Sequence, residues 1–271
     1  MDQYAVIGYP IKHSLSPLIH TLFAEQLGET ITYTAIESPV DGFQDTLSRF
    51  RKQGGCGVNV TVPFKLEAFQ LADQISELAE RAKAVNTLCW QDDQLVGYNT
   101  DGIGLLADLT QHQGLNLQGK RILVLGAGGA VRGILAPLLA EAPFEVAIAN
   151  RTQRKAEALV EEFFELGPVR YQLPSSRTVP FDVIINGTSS SLTDDRPFCD
   201  PSWFNADTFV YDMMYGAKLP SFLAWVKAQG VLNVADGLGM LVEQAASAYE
   251  IWRGKRPETA SVLAHVRASL V

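Results

Sequence analysis

Along residues 57–65, GVNVTVPFK, Val58, Val60, Val62 and Phe64 hold one parity while Asn59, Thr61 and Lys65 hold the other. An extended chain points alternate side chains to opposite faces. The spacing therefore predicts a strand over 57–62 with valines in a core and a carboxamide and a hydroxyl together on the other face. That polar row faces either solvent, as on any half-buried strand, or a ligand. Asn is a poor strand residue, so its place between two valines points to a use for its paired donor and acceptor. Pro63 then stops the strand and suits the first turn of a helix over 64–72, with Lys65 near its start.

The same reading extends in both directions. Strands are predicted at 4–8 and 31–36, with helices starting at Ser16 and spanning 41–53. A further helix at 75–84 precedes a hairpin of 85–91 and 95–99, joined by Asp92, Asp93 and Gln94, and then a helix over 100–114 with Thr100 and Asp101 as N-cap candidates. Alternation of strand and helix implies a largely parallel sheet covered by helices. A second unit starts near Lys120. It reads as strand, glycine-rich turn and helix over 121–142, strand 144–151, helix 154–166, and strands 181–187, 208–214 and 231–237. Pro137 inside its first helix predicts a kink. The last helices, 239–254 and 259–270, have no strand between them and can pack back on the first unit. The fold class is thus α/β with two domains, one discontinuous (1–102 plus 238–271) and one inserted (103–237).

Composition narrows the partners. With 271 residues and 47% apolar, the chain can bury a large core. A net charge of −8 argues against a nucleic-acid binder. The acidity is diffuse, as with Glu161, Glu162 and Glu165 on one helix, and reads as solubility. Cys56, Cys89 and Cys199 have no paired spacing, which fits a reducing compartment, and the four histidines are scattered, so no metal site is expected. The opening MDQYAVIGYP reads as a strand rather than a signal peptide, and no apolar run reaches membrane-spanning length; a cytoplasmic location is expected.

Gly126, Gly128 and Gly129 follow the apolar run Ile122 to Leu125 and open a helix, the context of a dinucleotide fingerprint. Together with Ala127 and Ala130 they form a turn whose backbone N–H groups can meet a pyrophosphate. Val131 stands where the usual third glycine would be. After the second strand of this unit comes Asn150, Arg151, Thr152, Gln153, Arg154, with no acid to accept ribose hydroxyls. Planar cations at 151 and 154 and the hydroxyl of Thr152 suit a 2′-phosphate, so NADP is favoured over NAD.

Three further stretches carry polar residues at element ends: HSLSP with Ser14 and Ser16, VNTL with Asn86, and NTDGIG with Asp101. Each alone is explained by helix capping or a satisfied strand amide. Together with GVNVTVPFK, GAGGA, NRT, YDMMY and GLGMLVEQA, in order from Ser14 to Ala245, they resemble the shikimate dehydrogenase family. The resemblance implies reversible NADP-dependent reduction of 3-dehydroshikimate to shikimate, with a substrate domain interrupted by a Rossmann-type NADP-binding domain and a cleft between the two. It implies Lys65 and Asp101 as the catalytic pair, and Ser14, Ser16, Asn59, Thr61, Asn86, Tyr215 and Gln244 on the substrate. Met213 and Gly237 would lie beside the nicotinamide, and the partner would be the small-molecule substrate alone, without nucleic acid or membrane, in a monomer or homodimer. Gly187, in the run 186–191, stands where relatives often carry Ala. A relative accepting quinate with NAD would have an acid after the second strand, and a catalytically dead nucleotide binder would lack Lys65 or Asp101; neither change is present.

Overall fold

The structure, a computed structural model, describes residues 1–174, 176, 179–188 and 197–270. By its contacts the chain divides into two compact units, Met1–Gly104 with Leu241–Ser269, and Leu105–Met240.

The first unit contains β1 (Asp2–Gly8), α1 (Ser16–Leu27), β2 (Ile31–Glu37), α2 (Phe43–Lys52), β3 (Gly55–Val60), α3 (Lys65–Leu71), β4 (Gln74–Ile75), α4 (Glu77–Ala82), β5 (Thr87–Gln91) and β6 (Gln94–Tyr98). Its sheet runs β2-β1-β3-β5-β6-β4. β1 is parallel to β2 and β3, β4 is parallel to β6, and the hairpin β5–β6 joins β3 antiparallel. Both faces are covered. Ala5, Ile7, Val58 and Val60 pack with Phe43, Leu47 and Phe50 of α2, while Tyr4 and Val6, of the opposite parity, pack with Tyr33, Ile11 and Trp252. Gly57 exists for that second layer, since a Cβ there would lie 2.4 Å from the Trp252 indole nitrogen. The predicted strand parity holds for Val58 and Val60 and then breaks. β3 ends at Val60, the Phe64 N–H donates to the Thr61 carbonyl at 3.0 Å, and Val62 is 65% exposed. Ile75, read as the start of a helix, forms β4 with Gln74 instead, and the helix begins at Glu77.

α5 (Asp101–Ala107) and a π turn (Asp108–His112) lead into the second unit: β7 (Arg121–Leu125), α6 (Gly129–Ala140), β8 (Glu145–Ala149), α7 (Gln153–Phe163), β9 (Val169–Tyr171), β10 (Val183–Asn186), β11 (Phe209–Asp212), α8 (Ser221–Ala228) and β12 (Asn233–Asp236). The sheet order β9-β8-β7-β10-β11-β12, parallel throughout, is the doubly wound order that reverses direction between β7 and β10. Ile122 and Val124 meet α6 and α7 on one face; Leu123 and Leu125 meet Phe222, Leu223 and Val226 of α8 on the other. α6 runs through Pro137, which is buried. α9 (Leu238–Arg253) and α10 (Ala260–Ser269) complete the chain.

Candidate active site

In the first unit the polar side chains named from sequence form one buried hydrogen-bonded cluster. Lys65 opens α3 and its carbonyl accepts the Val85 N–H at 2.9 Å, which registers the segment 85–87 against the helix start. The Lys65 ammonium lies 2.5 Å from Asp101 Oδ2, with side chains 28% and 12% exposed. Asp101 Oδ1 accepts from Asn86 Nδ2 at 2.8 Å, so both carboxylate oxygens are held. Asn99 fixes the start of α5 by accepting the Asp101 N–H at 3.1 Å. Asn86 Oδ1 accepts the Thr100 N–H at 2.9 Å, and Gln244 on α9 brings its Oε1 to 3.4 Å from Asn86 Nδ2.

Asn59 is 6% exposed. Its row faces neither open solvent nor an empty wall, because the second layer of the unit lies there. Asn59 Oδ1 accepts the Tyr33 hydroxyl at 2.7 Å, and Nδ2 donates to Thr87 Oγ1 at 3.1 Å and to the Asn86 carbonyl at 3.3 Å. Thr61, one step past the strand, is half-buried. Ser16 is buried at the first position of α1 without capping it, and Ser14 Oγ accepts the Ser16 N–H at 3.3 Å. The His20 ring stacks on Tyr33, centroids 4.2 Å apart. Burial pulls the His20 imidazole down to about 3, the neighbouring Asn59 opposing the shift.

In the second unit, the carboxyl ends of β7, β10, β11 and β12 gather the remaining residues. Gly126 has φ of 111°, a backbone that needs glycine. Gly128 and Gly129 have no such need: both have ordinary φ, and a Cβ on either would touch nothing within 4 Å. Such an open surface at the start of α6 is compatible with the close approach of a pyrophosphate to a helix N-terminus. Val131 is fully buried, and a Cβ on Gly187 would lie 2.5 Å from its Cγ2. The valine that replaces the third glycine is therefore accommodated by the glycine at 187; Ser189–Ser191 of that run lie outside the described residues. Gly237 is equally constrained, since a Cβ there would lie 2.2 Å from the Met213 carbonyl oxygen. Asn186 and Asp212, both buried, are joined at 3.0 Å and orient this edge: Asn186 Oδ1 accepts the Thr188 N–H and Asp212 Oδ1 the Met214 N–H. At the end of β8, Asn150 Nδ2 donates to the Thr152 carbonyl at 2.9 Å. Arg151 and Arg154 are exposed and ion-paired to no described residue.

Six of the nine residues named for chemistry or substrate, Lys65, Asp101, Asn59, Asn86, Gln244 and Ser16, join or border the first unit's cluster; Ser14 and Thr61 flank it. Tyr215 falls in the second unit, where burial and the Asp236 carboxylate raise its phenol. Ala127 and Ala130 lie in the turn with the glycines. Tyr33, Thr87, Asn99 and Thr100 were not singled out by sequence as parts of the site. Three of the four were signalled by a repeated Asn-Thr pair, Asn86–Thr87 and Asn99–Thr100: Asn86 hydrogen-bonds both threonines, and Asn99 accepts the Asp101 N–H.

Three family models match in succession: the shikimate dehydrogenase substrate binding domain at residues 6–88, shikimate / quinate 5-dehydrogenase at 108–193, and the shikimate 5'-dehydrogenase C-terminal domain at 237–267. A shikimate dehydrogenase (NADP(+)) of Hahella chejuensis is 52% identical over 267 residues, covering 98% of this chain and 99% of that one. Among solved structures, an Ael1 enzyme from Pseudomonas putida superposes with a TM-score of 0.92 at 45% identity, covering 98% of each chain. Shikimate 5-dehydrogenase of Thermus thermophilus, solved with NADP(H) and shikimate, superposes with a TM-score of 0.87 at 34% identity over the full length of both chains. With half of its residues shared along the whole length of such a relative, this chain belongs to the shikimate dehydrogenase family.

Proposed function

We propose that this chain catalyses the reversible NADP-dependent reduction of 3-dehydroshikimate to shikimate, with Lys65 and Asp101 as the catalytic pair. The observation that carries the reading is the ion pair of these two residues, 2.5 Å apart and held by Asn86 inside a cluster of amides and hydroxyls. Such a cluster suits a polyhydroxylated acid, because a buried hydroxyl without a partner costs about 1–3 kcal/mol. Bound NADPH supplies the hydride. What the protein adds is a proton for the oxygen on which negative charge develops. Asp101 has one oxygen on Asn86 and one on Lys65, whereas Lys65 spends one of its three N–H groups on Asp101 and keeps two for the substrate oxygen. Lys65 is accordingly the donor and Asp101 its orienting partner. Ser14, Ser16, Asn59, Thr61, Asn86, Tyr215 and Gln244 line the ring and its carboxylate.

The dinucleotide meets the turn Gly126 to Ala130, with Met213 and Gly237 near its nicotinamide. Asn150, Arg151, Thr152 and Arg154 take the 2′-phosphate; this is supported by the absence of an acid in that run and by two exposed guanidinium groups that pair with no acid among the described residues. The enzyme works in the cytoplasm as a monomer or homodimer. Three free thiols, Cys56, Cys89 and Cys199, fit that reducing setting, and among the described residues no helix is long and apolar enough to cross a membrane. Lys65→Ala tests the assignment: it should bind NADPH normally and lose roughly 10²–10⁴-fold in kcat for shikimate oxidation followed at 340 nm. A rate near the parent's would remove Lys65 from the chemistry.

A further inference from the structure

The cluster around Asp101 does not end at the residues that can touch a substrate. Asn59 and Thr87 are directly opposite each other across the antiparallel pair β3–β5, and Tyr33 on β2 reaches over β1 to the same face. All three are almost fully enclosed, at 6%, 0% and 8% exposure. The polarity of the hydrogen bonds between them follows from two backbone groups. The Thr100 N–H can only donate, so it must face Asn86 Oδ1, which leaves Asn86 Nδ2 pointing at Asp101 Oδ1. The Asn86 carbonyl can only accept, so it must face Asn59 Nδ2, which leaves Asn59 Oδ1 pointing at Tyr33.

Between these two amides Thr87 is the connecting link. Its hydroxyl accepts from Asn59 Nδ2 at 3.1 Å and donates to Asn86 Oδ1 at 3.0 Å. The result is one directed line, Tyr33 to Asn59 to Thr87 to Asn86 to Asp101, each member donating to the next. Burial keeps the Tyr33 phenol protonated, so at neutral pH it always has a hydrogen to give. Its ring is pinned by the parallel stack with His20 at an interplanar angle of 7°, and His20 itself is fully buried with neither ring nitrogen hydrogen-bonded.

We propose that Tyr33 and Thr87 are positioning residues for the reaction: their hydroxyls hold the Asn59 and Asn86 amides in the one orientation that aims Asn86 Nδ2 at Asp101, and so set where the carboxylate places Lys65. The inference rests on the reading of Lys65 and Asp101 as the catalytic pair. Neither positioning hydroxyl touches the reacting atoms, so the loss on removal is one of geometry, about tenfold in kcat rather than the larger loss of a proton donor.

The test measures kcat and KM for shikimate and NADP, NADPH binding by fluorescence, and the thermal midpoint for Tyr33→Phe, Thr87→Val, Thr87→Ser, the Tyr33→Phe/Thr87→Val double variant and Lys65→Ala. Tyr33→Phe removes one oxygen and keeps the ring on His20; Thr87→Val keeps the shape and removes the hydroxyl. Each should lower kcat by more than threefold with NADPH binding unchanged, Thr87→Ser should recover the parental kcat to within threefold, and the double variant should lose no more than the worse single one, because both cut the same line. A kcat within threefold of the parent for Thr87→Val or Tyr33→Phe overturns the proposal, as does a double variant whose loss is the product of the two. Should Thr87→Val not fold, Tyr33→Phe decides alone on the same threshold. Slow Lys65→Ala with fast Tyr33→Phe and Thr87→Val sinks only the positioning line, whereas fast Lys65→Ala sinks the catalytic pair itself.

Discussion

Gly187→Ala is the perturbation whose size can be worked from coordinates most directly. Gly187 follows β10, and its N–H is bound to the Leu125 carbonyl at 2.9 Å, so the backbone is tied to β7 and cannot drift outward freely. A methyl group there would lie 2.5 Å from Val131 Cγ2 and 3.3 Å from Met213 Sδ. Carbon atoms prefer about 3.5–4.0 Å, so something must move by on the order of 1 Å. Val131 cannot simply rotate, since a β-branched residue in a helix has essentially one χ1 rotamer and this one is fully buried. The cost is that of an overpacked core, roughly 1–3 kcal/mol. The same Val131 Cγ2 also borders Gly126 of the glycine turn, where a Cβ would lie 3.3 Å from it, so a shift of Val131 is felt at that turn. Val131→Ala removes the offending Cγ2 together with Cγ1, at a cost of roughly 1–2 kcal/mol in lost burial. In urea denaturation, the Gly187→Ala/Val131→Ala double variant should therefore be less destabilised than the sum of its parents by about 1–2 kcal/mol. NADPH affinity, weakened in Gly187→Ala, should recover in the same double variant. Additivity within about 0.5 kcal/mol, with no recovery of binding, would refute the claim that Val131 and Gly187 occupy one another's space.

Two other measurements bear on distant parts of the molecule. Arg151→Ala should weaken NADP by roughly 10–100-fold, the worth of a charge-assisted pair with phosphate, and leave NAD almost unchanged; equal losses for both would exclude the 2′-phosphate role. His20 titrates near 3 in the folded chain against an ordinary 6.5, so an unfolded chain takes up its proton first and stability must fall as pH drops from about 6.5 towards 3, by at most about 1.4 kcal/mol per pH unit. His20→Phe keeps a ring on Tyr33 and should flatten the urea midpoint between pH 6.5 and 4.5, and an unaltered slope would mean that other groups carry the acid sensitivity.

What could be read from sequence was local. The glycine turn, its flanking strand and helix, and the missing acid after β8 all lie within 34 residues of one another, counted from Arg121 to Arg154, and each has a direct backbone or charge consequence. The parity of Val58 and Val60 was equally plain. What lay on the other side of that strand was not, because alternation distinguishes two faces but does not say what covers either. The partners of Asn59 come from Tyr33 and Thr87, two strands away and one strand away in the sheet, and only the folded register brings them together. β4 and β9, of two and three residues, are too short to show a period at all. Val62 escaped the pattern because β3 ends at Val60, before the stop that Pro63 was read to mark.

Hydrogen bonding also separates residues that complete the scaffold from those left with something to give. Asn86 uses both hydrogens and both lone pairs at 2.8–3.0 Å, on Asp101, Thr100 and Thr87. Gln244 Oε1 has only long contacts, 3.4 Å to Asn86 and 3.5 Å to Thr100, while its Nε2 is held at 2.8 Å by the Leu241 carbonyl. A hydroxyl arriving at this cluster gains more from Gln244 Oε1 than from Asn86, because it displaces a weak bond rather than a strong one. The second unit follows the same logic with different chemistry. Gly128 and Gly129 lack a side chain that neither their φ nor their packing forbids, and Arg151 and Arg154 carry charge that no described acid answers. Among the described residues the polar requirements of folding are met nearly everywhere, the buried His20 ring being one exception; Gln244 Oε1 in the first unit and Arg151 and Arg154 in the second are places where a substrate hydroxyl and a phosphate would be the missing partners.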